Sequence, residues 1–149
     1  MSYIQSLHHL IIRTKHSKNV LSNEHSEELY RYIAGYIKNK KSFLYRINGM
    51  PDHIHILVGI HSTISLADFV KELKTSANPW IKSSGKFPKF TSWGAKYGAF
   101  TIRYQEKDSL IEYIKNQREH HKTESFEDEY RRLIEENGIE IDEQYFLKD

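Results

Sequence analysis

No cysteine occurs among the 149 residues. Disulfides and thiolate zinc sites are thereby excluded, and any metal has to be held by histidine, carboxylate or amide groups. No stretch approaches the ~18 consecutive apolar residues of a membrane span, and the N-terminus carries neither the basic segment nor the apolar core of a secretory signal. A cytoplasmic protein without membrane contact is the expectation. Internal repeats and low-complexity tracts are also missing. What remains is a chain with 38% hydrophobic and 28% charged residues, the size and composition of one globular domain. We expect a single domain over residues 1–149, with 124–149 as an acidic C-terminal helix and arm.

The formal net charge of +2 hides an asymmetry. Residues 124–149 hold ten acidic side chains against three basic ones, a net −7, which leaves +9 on residues 1–123. A basic body suits a polyanionic partner, because neutralisation of phosphates by Lys and Arg drives association with nucleic acid.

The most informative stretch is Pro51-Asp52-His53-Ile54-His55-Ile56-Leu57-Val58-Gly59-Ile60. Side chains alternate along a strand, so Ile54, Ile56, Val58 and Ile60 share one face and His53, His55 and Leu57 the other. The first face is core. The second presents two imidazoles about 6.6 Å apart along the strand, able to converge on one cation while leaving its other positions empty. Another element must complete such a site.

The rest of the chain supplies a framework. Tyr3 to Thr14 reads as a central strand, with His8 and His9 on opposite faces, so at most one of them can approach His53 and His55. Leu29, Tyr32, Ile33, Tyr36 and Ile37 form the apolar stripe of a helix within Asn23 to Lys41. Phe43 to Asn48 alternates again and turns at Gly49-Met50-Pro51-Asp52 into the histidine strand. Ser65 caps a second helix whose stripe is Leu66, Phe69, Val70, Leu73 and Ala77, and Pro79 should kink or end it. Tyr97 to Tyr104 is the fourth strand. This order of strand, helix, strand, strand, helix, strand implies an α+β, ferredoxin-like βαββαβ sheet with both helices on one face. His53 and His55 then occupy the open face.

A third helix, Ser109 to His121, is the element available to lie over that face. Tyr113 and Gln117 stand i, i+4 on one side of its thin apolar stripe, presenting a hydroxyl and an amide oxygen together. The last helix runs from Ser125, its cap, to Asn137, and is ended by Gly138. Basic residues interleaved with aromatics mark the second helix and the Ser83 to Lys96 loop: Lys71, Lys74, Lys82, Lys86, Lys89, Lys96 and Trp93 are the candidate DNA contacts, phosphates on the lysines and unpaired bases on the indole. Trp93, Phe87 and Phe90 are equally suited to anchoring the loop on the core.

The whole set resembles the single-tyrosine transposases of the IS200/IS605 type, a branch of the HUH nuclease superfamily. The matching pieces are His53-Ile54-His55, the Trp93-Gly94 loop leading into Tyr97-Gly98-Ala99-Phe100, and Tyr113-Ile114-Lys115-Asn116-Gln117. That resemblance implies that His53, His55 and Gln117 bind a divalent metal, Mg²⁺ or Mn²⁺, and that Tyr113 is the nucleophile. It implies cleavage and rejoining of single-stranded DNA through a 5′-phosphotyrosine, recognition of hairpins at element ends, and a homodimer in which the tyrosine helix of one subunit serves the histidines of the other. Imidazole ligands alone would favour zinc or another transition metal, so magnesium or manganese rests on the resemblance. Two other readings stay open: a domesticated relative that nicks or joins repeat hairpins, and a non-catalytic nucleic-acid binder built on the same sheet. RNA-recognition modules carry aromatics on the open face, where this chain has histidines.

Overall fold

The alternating runs become four strands in a computed structural model that describes residues 1–149. They are β1 (Leu7–Thr14), β2 (Phe43–Met50), β3 (His53–Gly59) and β4 (Trp93–Ile102), joined antiparallel in the order β2-β3-β1-β4. Helices α1 (Ser26–Asn39) and α2 (Leu66–Ser84) follow β1 and β3 in the chain. The architecture is the expected α+β, ferredoxin-like βαββαβ sheet, in the element order read from the sequence.

Alternation sorts the sheet into two unlike faces. Leu10, Ile12, Ile54, Ile56 and Val58 are buried with Leu29, Ile33 and Ile37 of α1 and Phe69, Leu73, Ala77 and Ile81 of α2, in a continuous apolar core. Each of these side chains larger than alanine contributes about 1.5–3 kcal/mol when fully withdrawn from water. On the opposite face the register sets Ile11 between His55 and Gly98, His9 between Leu57 and Phe100, and Arg13 beside His53.

Three elements follow β4: α3 (Lys107–Lys115), α4 (Gln117–His120) and α5 (Phe126–Glu136). Ser125 caps α5 by accepting from the Asp128 N–H at 3.1 Å, as the sequence suggests. Phe126, Tyr130 and Leu133 of α5 pack on Ile11 and Phe100, so the acidic segment folds onto the second face of its own sheet. Gly98 makes this approach possible: a Cβ there would lie 2.8 Å from the Tyr130 ring. The terminal arm also returns, with Arg13 pairing Asp149 at 2.8 Å and donating to the Lys148 carbonyl at 2.9 Å.

Strand β1 starts at Leu7 rather than Tyr3, and three further differences from the sequence reading bear on the site. Helix α2 runs through Pro79 to Ser84 and stops at Gly85, whose φ of 70° is left-handed. Pro79 is exposed while Ala77 and Ile81 on either side are buried, so packing outweighs the backbone bond that proline removes. Strand β4 begins at Trp93 rather than Tyr97, because beyond a shift in register Trp93 still pairs with Thr14. The third helix is divided: Asn116, at φ −94° and ψ 20°, separates α3 from the single turn α4, so Tyr113 and Gln117 lie on two short segments. Asparagine competes for its own backbone groups and favours such breaks.

Candidate active site

Strand β3 places His53 and His55 side by side on the second face, and both are fully buried. From the other side α3 and α4 bring Tyr113 and Gln117, and Gln117 is also fully buried. All four residues singled out in the sequence therefore meet in one chain. Between them stands a side chain that the sequence reading missed, Glu129 of α5, with no exposure to solvent.

Glu129 Oε1 lies 3.0 Å from His121 Nε2, 3.1 Å from His55 Nε2 and 3.4 Å from His53 Nε2. Its Oε2 accepts from the Gln117 amide at 2.9 Å and from the Tyr113 hydroxyl. With the Gln117 nitrogen so occupied, its carbonyl oxygen is aimed at the histidines, 3.3 Å from His53 Nε2 and 3.0 Å from His121 Nε2. Arg132 donates to the Tyr113 oxygen at 3.0 Å.

A common device orients the three rings. His53 Nδ1 meets Asp52 Oδ1 at 2.7 Å, His121 Nδ1 meets the Glu124 carbonyl at 2.8 Å, and His55 Nδ1 meets His9 Nε2 at 2.8 Å. An ionised carboxylate and a peptide carbonyl only accept, so His53 and His121 carry a proton on Nδ1. As neutral rings they then point Nε2 lone pairs inward, at oxygen lone pairs of Glu129 and Gln117. Such an arrangement is repulsive unless positive charge stands between the atoms, as ring protons or as a cation. The donors of His53, His55, His121 and Glu129 lie within 4.8 Å of one another, and this set of imidazole nitrogens and one carboxylate can bind a metal. The residues fit a divalent cation, as the sequence resemblance implies, with the imidazole nitrogens favouring a transition metal over magnesium.

Electrostatics follow from burial. Desolvation lowers the His55 pKa to about 4 and that of His9 to about 3. For His53 burial also opposes the charged form, but the Asp52 and Glu129 carboxylates outweigh it and raise the pKa. Glu129 is buried too, yet hydrogen bonds from His121, His53 and His55 hold its carboxyl far below the usual range. Burial and then the Glu129 carboxylate push the Tyr113 phenol up, so the hydroxyl is protonated as it stands.

The profile described as "Transposase IS200 like" matches residues 2–117. The chain belongs to that transposase family. Among solved structures, a protein assigned as a transposase from Deinococcus radiodurans R1 is 27% identical, with a TM-score of 0.62 over 78% of this chain and 95% of that one. A REP-associated tyrosine transposase bound to a REP hairpin is 13% identical, with a TM-score of 0.56 over 78% of this chain and 68% of that one, a likeness of fold alone. No curated protein matches the chain. As a transposase it is a DNA-processing enzyme. No helix is long and apolar enough to cross a membrane.

The family match ends at Gln117, so His121, Glu129 and Arg132 join this cluster of the transposase from beyond the matched residues. A signal for Glu129 was present in the sequence. Phe126, Tyr130 and Leu133 form the buried stripe of α5, and Glu129 is the one acidic residue buried within it. His9, by contrast, could be found only from the strand register.

The candidate DNA contacts are placed unequally. Lys71, Lys82, Lys89 and Lys96 are exposed. Lys74 donates to the Gly94 carbonyl at 2.8 Å, and burial lowers its pKa; Lys86 pairs with Glu28 at 3.3 Å. Trp93 is buried against Phe90, as are Phe87 and Phe90 themselves, which is the core-anchoring alternative rather than a base-stacking platform. A cleft of about 390 Å³ between α2 and β4 is lined by Lys71, Lys74, Asn78 and Gly94.

Proposed function

We propose that this transposase cleaves and rejoins single-stranded DNA through Tyr113, at a divalent metal centre built on His53, His55 and Gln117. The observation that carries this reading is the meeting of a tyrosine hydroxyl, two strand histidines and an amide oxygen at one buried point on the sheet face opposite the core helices.

Tyr113 Oη gives up its proton to solvent and forms a bond to the scissile phosphorus, the bond from phosphorus to the 3′ oxygen breaks, and that oxygen takes a proton from solvent and leaves as a 3′-hydroxyl. The 5′ side stays on the tyrosine, so the ester linkage is conserved for rejoining. A bound Mg²⁺ or Mn²⁺ supplies Lewis-acid polarisation of the phosphate and neutralisation of its charge. Asp52 and His9 hold two imidazoles in orientation through Nδ1. Arg132 favours the phenolate by donating to Tyr113, whereas Glu129 opposes it, so the contact with Glu129 belongs to a resting arrangement.

Hairpins at element ends are the proposed substrate, with Lys71, Lys82, Lys89 and Lys96 on phosphates. A homodimer is the assembly in keeping with the family resemblance, although one chain by itself supplies every residue named for the site. Single-stranded DNA carrying such a hairpin, labelled at either end and incubated with Mg²⁺, Mn²⁺ or EDTA, tests the reading. The expected result is a metal-dependent covalent adduct, lost in Tyr113→Phe and His55→Ala. Tight hairpin binding without any adduct from the unaltered protein would sink the proposal and leave a binding module.

A further inference from the structure

Resting on the reading that His53 and His55 hold a metal, we infer that His121 and Glu129 are ligands too, closing a four-ligand, transition-metal centre from the segment beyond the family match, in a resting arrangement where the Gln117 amide is held on Glu129 and Gln117 does not yet coordinate. Three observations meet here. The first is protonation: Nδ1 of His53 and of His121 is committed to an acceptor, which leaves Nε2 of each free to coordinate. The second is spacing. A tetrahedral ion with bonds of about 2.0–2.1 Å sets its ligands about 3.3 Å apart; Glu129 Oε1 stands 3.0, 3.1 and 3.4 Å from the three nitrogens, and all four donor atoms lie within 4.8 Å of one another, so the nitrogens need only close in on a bound ion. The third is dryness. His53, His55 and Glu129 have no exposure, and the His121 side chain has 5%.

Those features select the class of ion. Magnesium keeps several waters and prefers oxygen, whereas three imidazoles and one carboxylate in a dry centre suit Zn²⁺, Co²⁺ or Mn²⁺. Four protein ligands also fill a tetrahedral ion, while catalytic sites keep one position open. Glu129, which also accepts from Tyr113, would be the ligand that gives way to a phosphate oxygen, and its place on α5 would tie the docking of that helix to the metal.

Titration of the full chain with Co²⁺, read by visible absorption and calorimetry, tests the assignment, because four-coordinate cobalt absorbs far more strongly than six-coordinate cobalt. The unaltered protein should bind one Co²⁺ with the intense spectrum and far outcompete Mg²⁺. Glu129→Gln and His121→Ala should each weaken Co²⁺ binding by about 100-fold, the upper end of what loss of a supporting group alone costs, and dim the spectrum. If both bind Co²⁺ like the unaltered protein while His55→Ala does not, the tail supplies no ligand and the inference falls, but the catalytic reading stands. If His55→Ala also binds normally, or if no ion binds and ring protons hold the cluster together, the metal reading falls with it. Hydrogen exchange of the unaltered protein guards against a variant that does not fold: Zn²⁺ should slow exchange across Phe126–Glu136, and no change there overturns the inference.

Discussion

The two faces of the sheet are held together in different ways. Toward α1 and α2 the contacts are apolar, numerous and individually replaceable, with Leu10, Ile12, Ile54 and Ile56 spread across a core of 20 buried residues. Toward α3, α4 and α5 an apolar cluster of only five buried residues flanks a knot of polar side chains in which Glu129 alone touches His53, His55, Gln117, His121 and Tyr113. The first face derives its strength from buried area, which has no direction. The second depends on each donor meeting its acceptor, and buried polar groups are costly when left unpaired. Apolar burial is concentrated in one and buried titratable groups in the other.

The largest expected effect comes from separating the two. Phe69→Ala removes a fully buried ring from the apolar face and should cost about 3–5 kcal/mol in denaturant unfolding. Cleavage per folded molecule should stay within about twofold of normal, measured well below the unfolding transition. A comparable loss of activity in the folded fraction would show that the faces are coupled.

A smaller effect should come from pH, and it should act through the polar face. His9 and His55 are held neutral by burial, at about 3 and about 4, so their contribution is present above the unfolded value of ~6.5 and is lost as pH falls through that range. His53 runs the other way, its contribution being present below ~6.5 and lost as pH rises through its elevated pKa. Glu129 is ionised throughout this window and adds nothing to the trend. With two groups against one, the melting temperature of EDTA-treated protein should fall by a few degrees between pH 7 and pH 5, each histidine contributing at most about 2 kcal/mol. His9→Phe should flatten that slope, and an unchanged slope would count against the buried neutral pair.

The smallest effect belongs to neither face. Lys82→Ala and Lys89→Ala alter exposed side chains and should leave stability within about 0.5 kcal/mol. Each should nonetheless lower the salt dependence of single-strand binding, the log–log slope shrinking by about 0.7 per lost phosphate contact. A full slope in the double variant would move the DNA elsewhere.

How far this was legible in the sequence follows the same division. Strand alternation and helical stripes are local signals, so Ile54, Ile56, Leu29 and Phe69 announced the apolar face and, by elimination, the direction of His53 and His55. Tyr113 and Gln117 were legible as a pair but not as residues of two segments, because a single asparagine inside a helical pattern is only a weak break signal. Glu129 was hidden by its company: among ten acidic residues after Thr123 it reads as one more solvated charge, and only its place in the stripe of Phe126, Tyr130 and Leu133 sets it apart. Trp93 shows the reverse error available to composition, since lysines around an aromatic look like a nucleic-acid surface whether the ring points out or in.

The contact between His9 and His55 has one more consequence. It joins β1 to β3 across 46 residues of chain, in a register that pairs His9 with Leu57 and sets the two rings diagonally across the strands. A slip by one residue would turn His9 toward the apolar side and offer His8 in its place from the wrong sheet partner. The sheet thus carries its own checksum, written in nitrogen: a chain that pairs these strands one residue out loses the contact between His9 and His55.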